Sequence, residues 1–93
     1  MKIYQSPIGL AVYKYEDTTG FTITGNVSIE HTIKEFDGAG DFEDHIRKNV
    51  ACKSITFDSE YCQFWAYAKS KAAAISFVKR VEKHFINLQK IFA

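Results

Sequence analysis

Between Cys52 and Tyr67 the side chains alternate in a way that a β-hairpin satisfies and a helix does not. A tight turn at Ser59-Glu60, with Asp58 opposite Tyr61, predicts the pairs Phe57/Cys62, Thr56/Gln63, Ile55/Phe64, Ser54/Trp65, Lys53/Ala66 and Cys52/Tyr67. Successive strand residues point to opposite faces, so this register sorts the segment. One face carries Ile55, Phe57, Cys62, Phe64 and Ala66 and is core-like. The other carries Ser54, Thr56, Asp58, Tyr61, Gln63, Trp65 and Tyr67.

Upstream, Ile8 to Glu16 reads as a strand with Ile8, Leu10 and Val12 on one face and Ala11, Tyr13 and Tyr15 on the other. Asp17-Thr18-Thr19-Gly20 is a turn in which Gly20 can take positive φ. Phe21 to Val27 follows as a strand, with Phe21 and Ile23 opposed to Thr22 and Thr24, and Gly25-Asn26 as a candidate bulge. Ser28 to Phe36 fits strand and helix spacings alike. Its density of Val, Ile and Thr favours a third strand.

Asp37-Gly38-Ala39-Gly40 reads as a loop and Asp41 as the N-cap of a helix through about Asn49. Glu43 and Asp44 then fall in the first turn and Arg47 and Lys48 in the last, matching the helix dipole. Phe42, Ile46 and Val50 form the apolar stripe. Ser70 caps a second helix, from Lys71 to about Ile91. Along it Ala74, Val78, Val81, Phe85, Leu88 and Phe92 recur at spacings of four and three, with Ile75, Phe77, Ile86 and Ile91 widening the stripe. The order βββ-α-ββ-α predicts an α+β fold: an antiparallel or mixed sheet of about five strands with both helices on one face, as a single compact domain over residues 1–93. Tyr13, Tyr15, Tyr61, Gln63, Trp65 and Tyr67 are then left on the other face.

Composition bounds the function. Ninety-three residues at 46% hydrophobic and 15% aromatic can build a core without a staple. No apolar run reaches the roughly 18 residues of a membrane span, and the N-terminus lacks the apolar stretch of a signal peptide, so the cytoplasm is expected. Cys52 and Cys62 lie far apart in the hairpin register and point to opposite faces, so both are expected as thiols, Cys62 as a small core residue. The net charge of +1 hides an asymmetry: residues 16–60 carry ten acids against four bases, and residues 61–93 six bases against one acid. Such a dipolar chain can steer a charged partner or pair its own halves.

Catalytic patterns are missing. His31, His45 and His84 show no metal-ligand spacing with either cysteine, and no cofactor motif is present. Asp37-Gly38-Ala39-Gly40-Asp41 sits among carboxylates that would repel phosphate, and it lacks the dinucleotide spacing and the alternating ligands of a calcium loop. A non-catalytic binding protein is therefore expected.

Tyr and Trp are favoured in strands for their own sake. They also give large contact area with few rotatable bonds, and Thr, Ser and Gln beside them supply adaptable hydrogen bonds. That combination suits a protein partner or self-association. Single-stranded nucleic acid is the alternative, because bases stack on sheet aromatics. Its support is the basic side of the last helix, Lys79, Arg80 and Lys83; no Lys or Arg is expected on the aromatic face itself. A secondary acidic patch of Glu35, Asp37, Asp41, Glu43 and Asp44 is a further candidate surface. In size, compactness and lack of catalytic signature the chain is similar, in general character and over no alignable stretch, to the small inhibitors that phages and mobile elements turn on host defence, such as anti-CRISPR proteins.

Overall fold

The computed structural model describes residues 1–16, 18–26, 38–60 and 63–92, with the backbone alone for 26 and 86–92. Five strands form one antiparallel sheet: β1 (Lys2–Gln5), β2 (Ala11–Tyr13), β3 (Phe21–Asn26), β4 (Ile55–Phe57) and β5 (Gln63–Ala68), in spatial order β1-β2-β3-β5-β4. Among the described residues, helices α1 (Ala39–Asn49) and α2 (Lys71–Phe92) give the α+β order βββ-α-ββ-α. No helix among the described residues is long and apolar enough to cross a membrane.

The first strand is not the expected one. The segment starting at Ile8 is split by a turn: the Gly9 N–H bonds the Ser6 carbonyl at 3.0 Å and the Ser6 N–H bonds the Leu10 carbonyl at 2.7 Å. Pro7 suits the first corner of such a turn, and Gly9 takes the positive φ of 95° that closes a three-residue hairpin loop. The signal was Ser6-Pro7-Ile8-Gly9. It releases Lys2–Gln5 to pair with β2, through an irregularity between Lys2 and Tyr4. The region 28–36, expected as a strand, lies outside the described residues.

Three further expectations change. Gly25 and Asn26 pair regularly with Phe64 and Gln63, without a bulge. Gly20 does not adopt positive φ; glycine serves there because a Cβ would meet the Ala68 carbonyl oxygen at 2.9 Å. Helix α1 begins at Ala39, with Gly38 rather than Asp41 at the N-cap and no side-chain cap bond. Burial explains the earlier start, since Ala39 is fully enclosed and belongs to the core. Asp41 thus stands in the first turn, while Arg47 and Lys48 keep the last.

The hairpin β4–β5 forms in a different register. Ile55, Thr56 and Phe57 face Ala68, Tyr67 and Ala66, and a bridge between Glu60 and Gln63 closes its end. The expected pairs are displaced by four residues along β5. Cys52, Lys53 and Ser54 leave the strand for a turn in which the Ile55 N–H bonds the Cys52 carbonyl and Ser54 takes φ 67°. The displacement is even, so Ile55, Phe57, Phe64 and Ala66 stay on the core face and Thr56, Trp65 and Tyr67 on the other.

The core lies between the sheet and the helices. Leu10, Val12, Ile23, Phe64, Ala66 and Ala68 from the sheet meet Phe42 and Ile46 of α1 and Ala74, Phe77, Val78, Val81 and Phe85 of α2. Its centre is aromatic. Phe42 stands edge-on to Phe64 at 5.2 Å and stacks on Phe85 at 5.7 Å, while Phe57 meets Phe64 and Phe77 edge-on. Ser70 caps α2 as expected, accepting the Ala73 N–H at 3.1 Å. The Tyr4 hydroxyl donates to Glu82 at 2.7 Å and ties β1 to α2. That hydrogen bond raises the Tyr4 phenol above its ordinary value, because ionising the hydroxyl would forfeit it; burial and the charge of Glu82 push the same way.

Candidate functional site

Both helices occupy one face of the sheet. On the other face the strand register lays down rows of side chains. One row crosses all five strands: Lys2, Tyr13, Thr22, Tyr67, Thr56. At the usual strand separation it is about 19 Å long. The next row runs Gln5, Ala11, Thr24, Trp65.

Local chemistry holds these side chains in place. Tyr15 follows β2 and stacks on Tyr13, with ring centroids 5.9 Å apart and planes 9° from parallel. Thr22, between Tyr13 and Tyr67, is buried, whereas Tyr15 and Tyr67 are 41% and 39% exposed. Trp65 and Tyr67 alternate on β5 and project to the same side about 7 Å apart. Gln63 donates to the Thr24 hydroxyl at 2.6 Å, and that hydroxyl donates to the Phe64 carbonyl at 2.9 Å. The Trp65 N–H reaches the Ser59 hydroxyl at 3.3 Å.

The structure therefore brings Tyr13, Tyr15, Gln63, Trp65 and Tyr67 to one face. Tyr61 lies outside the described residues. One expectation is corrected: the face does hold a cation. Lys2 stands 6.0 Å from the centre of the Tyr13 ring and bonds Gln5 Oε1 at 2.9 Å. It was missed because β1 itself was missed. The alternation of Ile3 and Tyr4 breaks at the irregularity, and both pack toward the core.

The acidic residues of α1 are placed differently from one another. Glu35 and Asp37 lie outside the described residues. Asp41 and Asp44 are exposed on α1. Glu43 turns inward, where one carboxylate oxygen accepts the Ser59 N–H at 3.3 Å and the other lies 3.6 Å from Arg47. Arg47 in turn covers the Phe57 ring at 5.5 Å. Together these contacts tie α1 to the end of β4 and the segment that follows it.

Lys79, Arg80 and Lys83 lie along the outer side of α2, with Lys79 reaching back toward β1 and Arg80 toward the segment before β4. Arg80 donates to the Ala51 carbonyl at 3.1 Å and to the Ser76 hydroxyl at 2.6 Å. Lys79 lies 5.9 Å from the centre of the Tyr4 ring. No group of three or more His, Cys, Asp or Glu residues that could hold a metal occurs among the described residues. Cys52 is a free thiol. Burial pushes it above its ordinary value, against the pull of Arg80 and Arg47. Comparison with known proteins finds no matching family, no matching curated protein and no matching solved structure.

Proposed function

We propose that this is a non-catalytic binding protein that engages a protein partner, or a second copy of itself, through the aromatic face of its sheet. The observation that carries this is the placement of Tyr13, Tyr15, Trp65 and Tyr67 on the face that neither α1 nor α2 covers. Rigid aromatics with polar tips, interleaved with Thr24, Thr56 and Gln63, suit a desolvated protein contact. A binder of this size acts by occupying its target's surface, which fits an inhibitor of the kind phages and mobile elements carry. Residence in the cytoplasm accords with the free thiol of Cys52.

Single-stranded nucleic acid ranks second. A stacking platform works inside a basic field, yet here the basic cluster of α2 is on the opposite layer from the aromatics. The open face has Lys2, and Lys79, Arg80 and Lys83 are beyond the helices.

The decisive variant is Trp65→Ala with Tyr67→Ala. Hot-spot aromatics are worth about 2 kcal/mol or more each, so the pair should abolish capture of the partner from the native cell, or dissociate a homodimer in sedimentation velocity. Circular dichroism of the monomer should stay intact, and nuclease treatment should leave capture unchanged. A double variant that keeps its assembly and its full partner affinity would refute the proposal.

A further inference from the structure

A second surface lies on the far layer of the molecule and is independent of the aromatic face. We infer that the outward side of α2 is a docking groove for an acidic, amphipathic peptide segment of another protein. The groove is a shallow, open trough between side chains of α2 alone, about 770 Å³ in volume. Its lining recurs at 71/72, 75/76, 79/80 and 83, a stripe about 18 Å long, or roughly three helical turns. The buried stripe of α2, Ala74, Phe77, Val78, Val81 and Phe85, occupies the opposite side of the same helix.

Charge decides the sign of the occupant. Lys71, Lys79, Arg80 and Lys83 line the groove, and no carboxylate among the described residues does. The acid carried by this stretch of α2, Glu82, is turned to the Tyr4 hydroxyl. Arg80 is already oriented: two of its N–H groups are held by Ala51 and Ser76, which fixes the plane of the guanidinium for a carboxylate. A smaller cavity of about 330 Å³ shares Arg80 and Lys83 and extends the trough to Asn49 and His84.

The floor decides between kinds of polyanion. Ala72 and Ile75 lie between the cations, and no aromatic ring among the described residues lines the groove. A nucleic acid strand would find nothing to stack on and would be held by its phosphates alone. An amphipathic segment satisfies both parts, with carboxylates on the lysines and aliphatic side chains on Ala72 and Ile75. Helix-on-groove recognition of this kind reads anchors at every third and fourth position.

The probe is a fluorescein-labelled peptide of about five helical turns, with leucine at every third and fourth position and glutamate elsewhere. Polyglutamate of equal length and an oligo-dT strand serve as competitors. Fluorescence anisotropy should show saturable binding of the peptide, tighter than either competitor and weakened by salt. Lys79→Glu with Lys83→Glu should weaken it about tenfold or more, and the milder Lys79→Gln with Lys83→Gln by less. Lys48→Glu with Lys53→Glu changes the net charge equally, off the groove, and should leave binding within about twofold. Polyglutamate binding as well as the peptide would overturn the inference, as would equal losses in the two charge-reversed variants. Tighter binding of oligo-dT through Lys79 and Lys83 would overturn it in favour of nucleic acid.

Discussion

Nε2 of His45 lies 2.8 Å from Nε2 of His84 and joins α1 to α2. At that distance one nitrogen donates and the other accepts, so the contact holds one proton. A second proton would set N–H against N–H. Burial pushes the His84 imidazole below its ordinary value of 6.5, and Arg80 and Lys83 line the cavity beside it. The fold thus favours neutral His84. Its contribution to stability is present above the unfolded value, near pH 6.5, and is lost as pH falls through the lowered folded value. The urea midpoint should drop between about pH 7.5 and about pH 5, and His84→Gln should flatten that drop. Parallel curves for the two proteins would show that the pair is not the source.

Phe64 and Trp65 are neighbours in sequence with opposite fates. Phe64 is buried against Phe42 and Phe57, whereas Trp65 projects from the open face. Phe64→Ala should cost about 3–5 kcal/mol in chemical denaturation. Trp65→Ala should cost far less in the isolated monomer. Equal losses would mean that something buries the open face within the monomer.

Glu43 ties α1 to the segment after β4 through the Ser59 N–H. Glu43→Ala strands that donor and should destabilise by about 1–2 kcal/mol, with faster exchange of the Ser59 amide. Glu43→Gln keeps an acceptor and should lose less. A Ser59 amide that exchanges at the same rate in all three proteins would exclude the contact.

Cys52 is half-buried, and its thiol donates to the Val50 carbonyl at 3.0 Å. With its titration pushed up, little thiolate exists near neutrality. In a Cys62→Ser background, alkylation by iodoacetamide at neutral pH should run several-fold to about tenfold slower than for a free cysteine peptide, and should accelerate on unfolding. A rate equal to the peptide's would place the thiol in open solvent.

The two faces of the hairpin were legible because side-chain direction repeats every two residues. An even error in register leaves that direction untouched, so Phe57, Phe64 and Ala66 were assigned to the core, and Trp65 and Tyr67 away from it, from the wrong pairing. The helices were legible from Ser70 and from the stripes of Phe42 with Ile46 and of Ala74 with Val78 and Val81. Two kinds of feature were not. β1 is four residues long and loses its alternation at Ile3 and Tyr4, so periodicity had nothing to act on. Contacts such as His45 with His84, or Glu43 with Ser59, come from segments that only the tertiary fold brings together, and no spacing in the chain announces them.

The row from Lys2 to Thr56 draws on strands that are remote along the chain. Neither hairpin can present it alone, because Thr22 belongs to one and its neighbour Tyr67 to the other. During synthesis the surface cannot exist until residue 67 has left the ribosome and β5 has inserted between β3 and β4. Whatever binds there therefore distinguishes the finished protein from its nascent fragments, and by mass action it stabilises the whole sheet rather than either half.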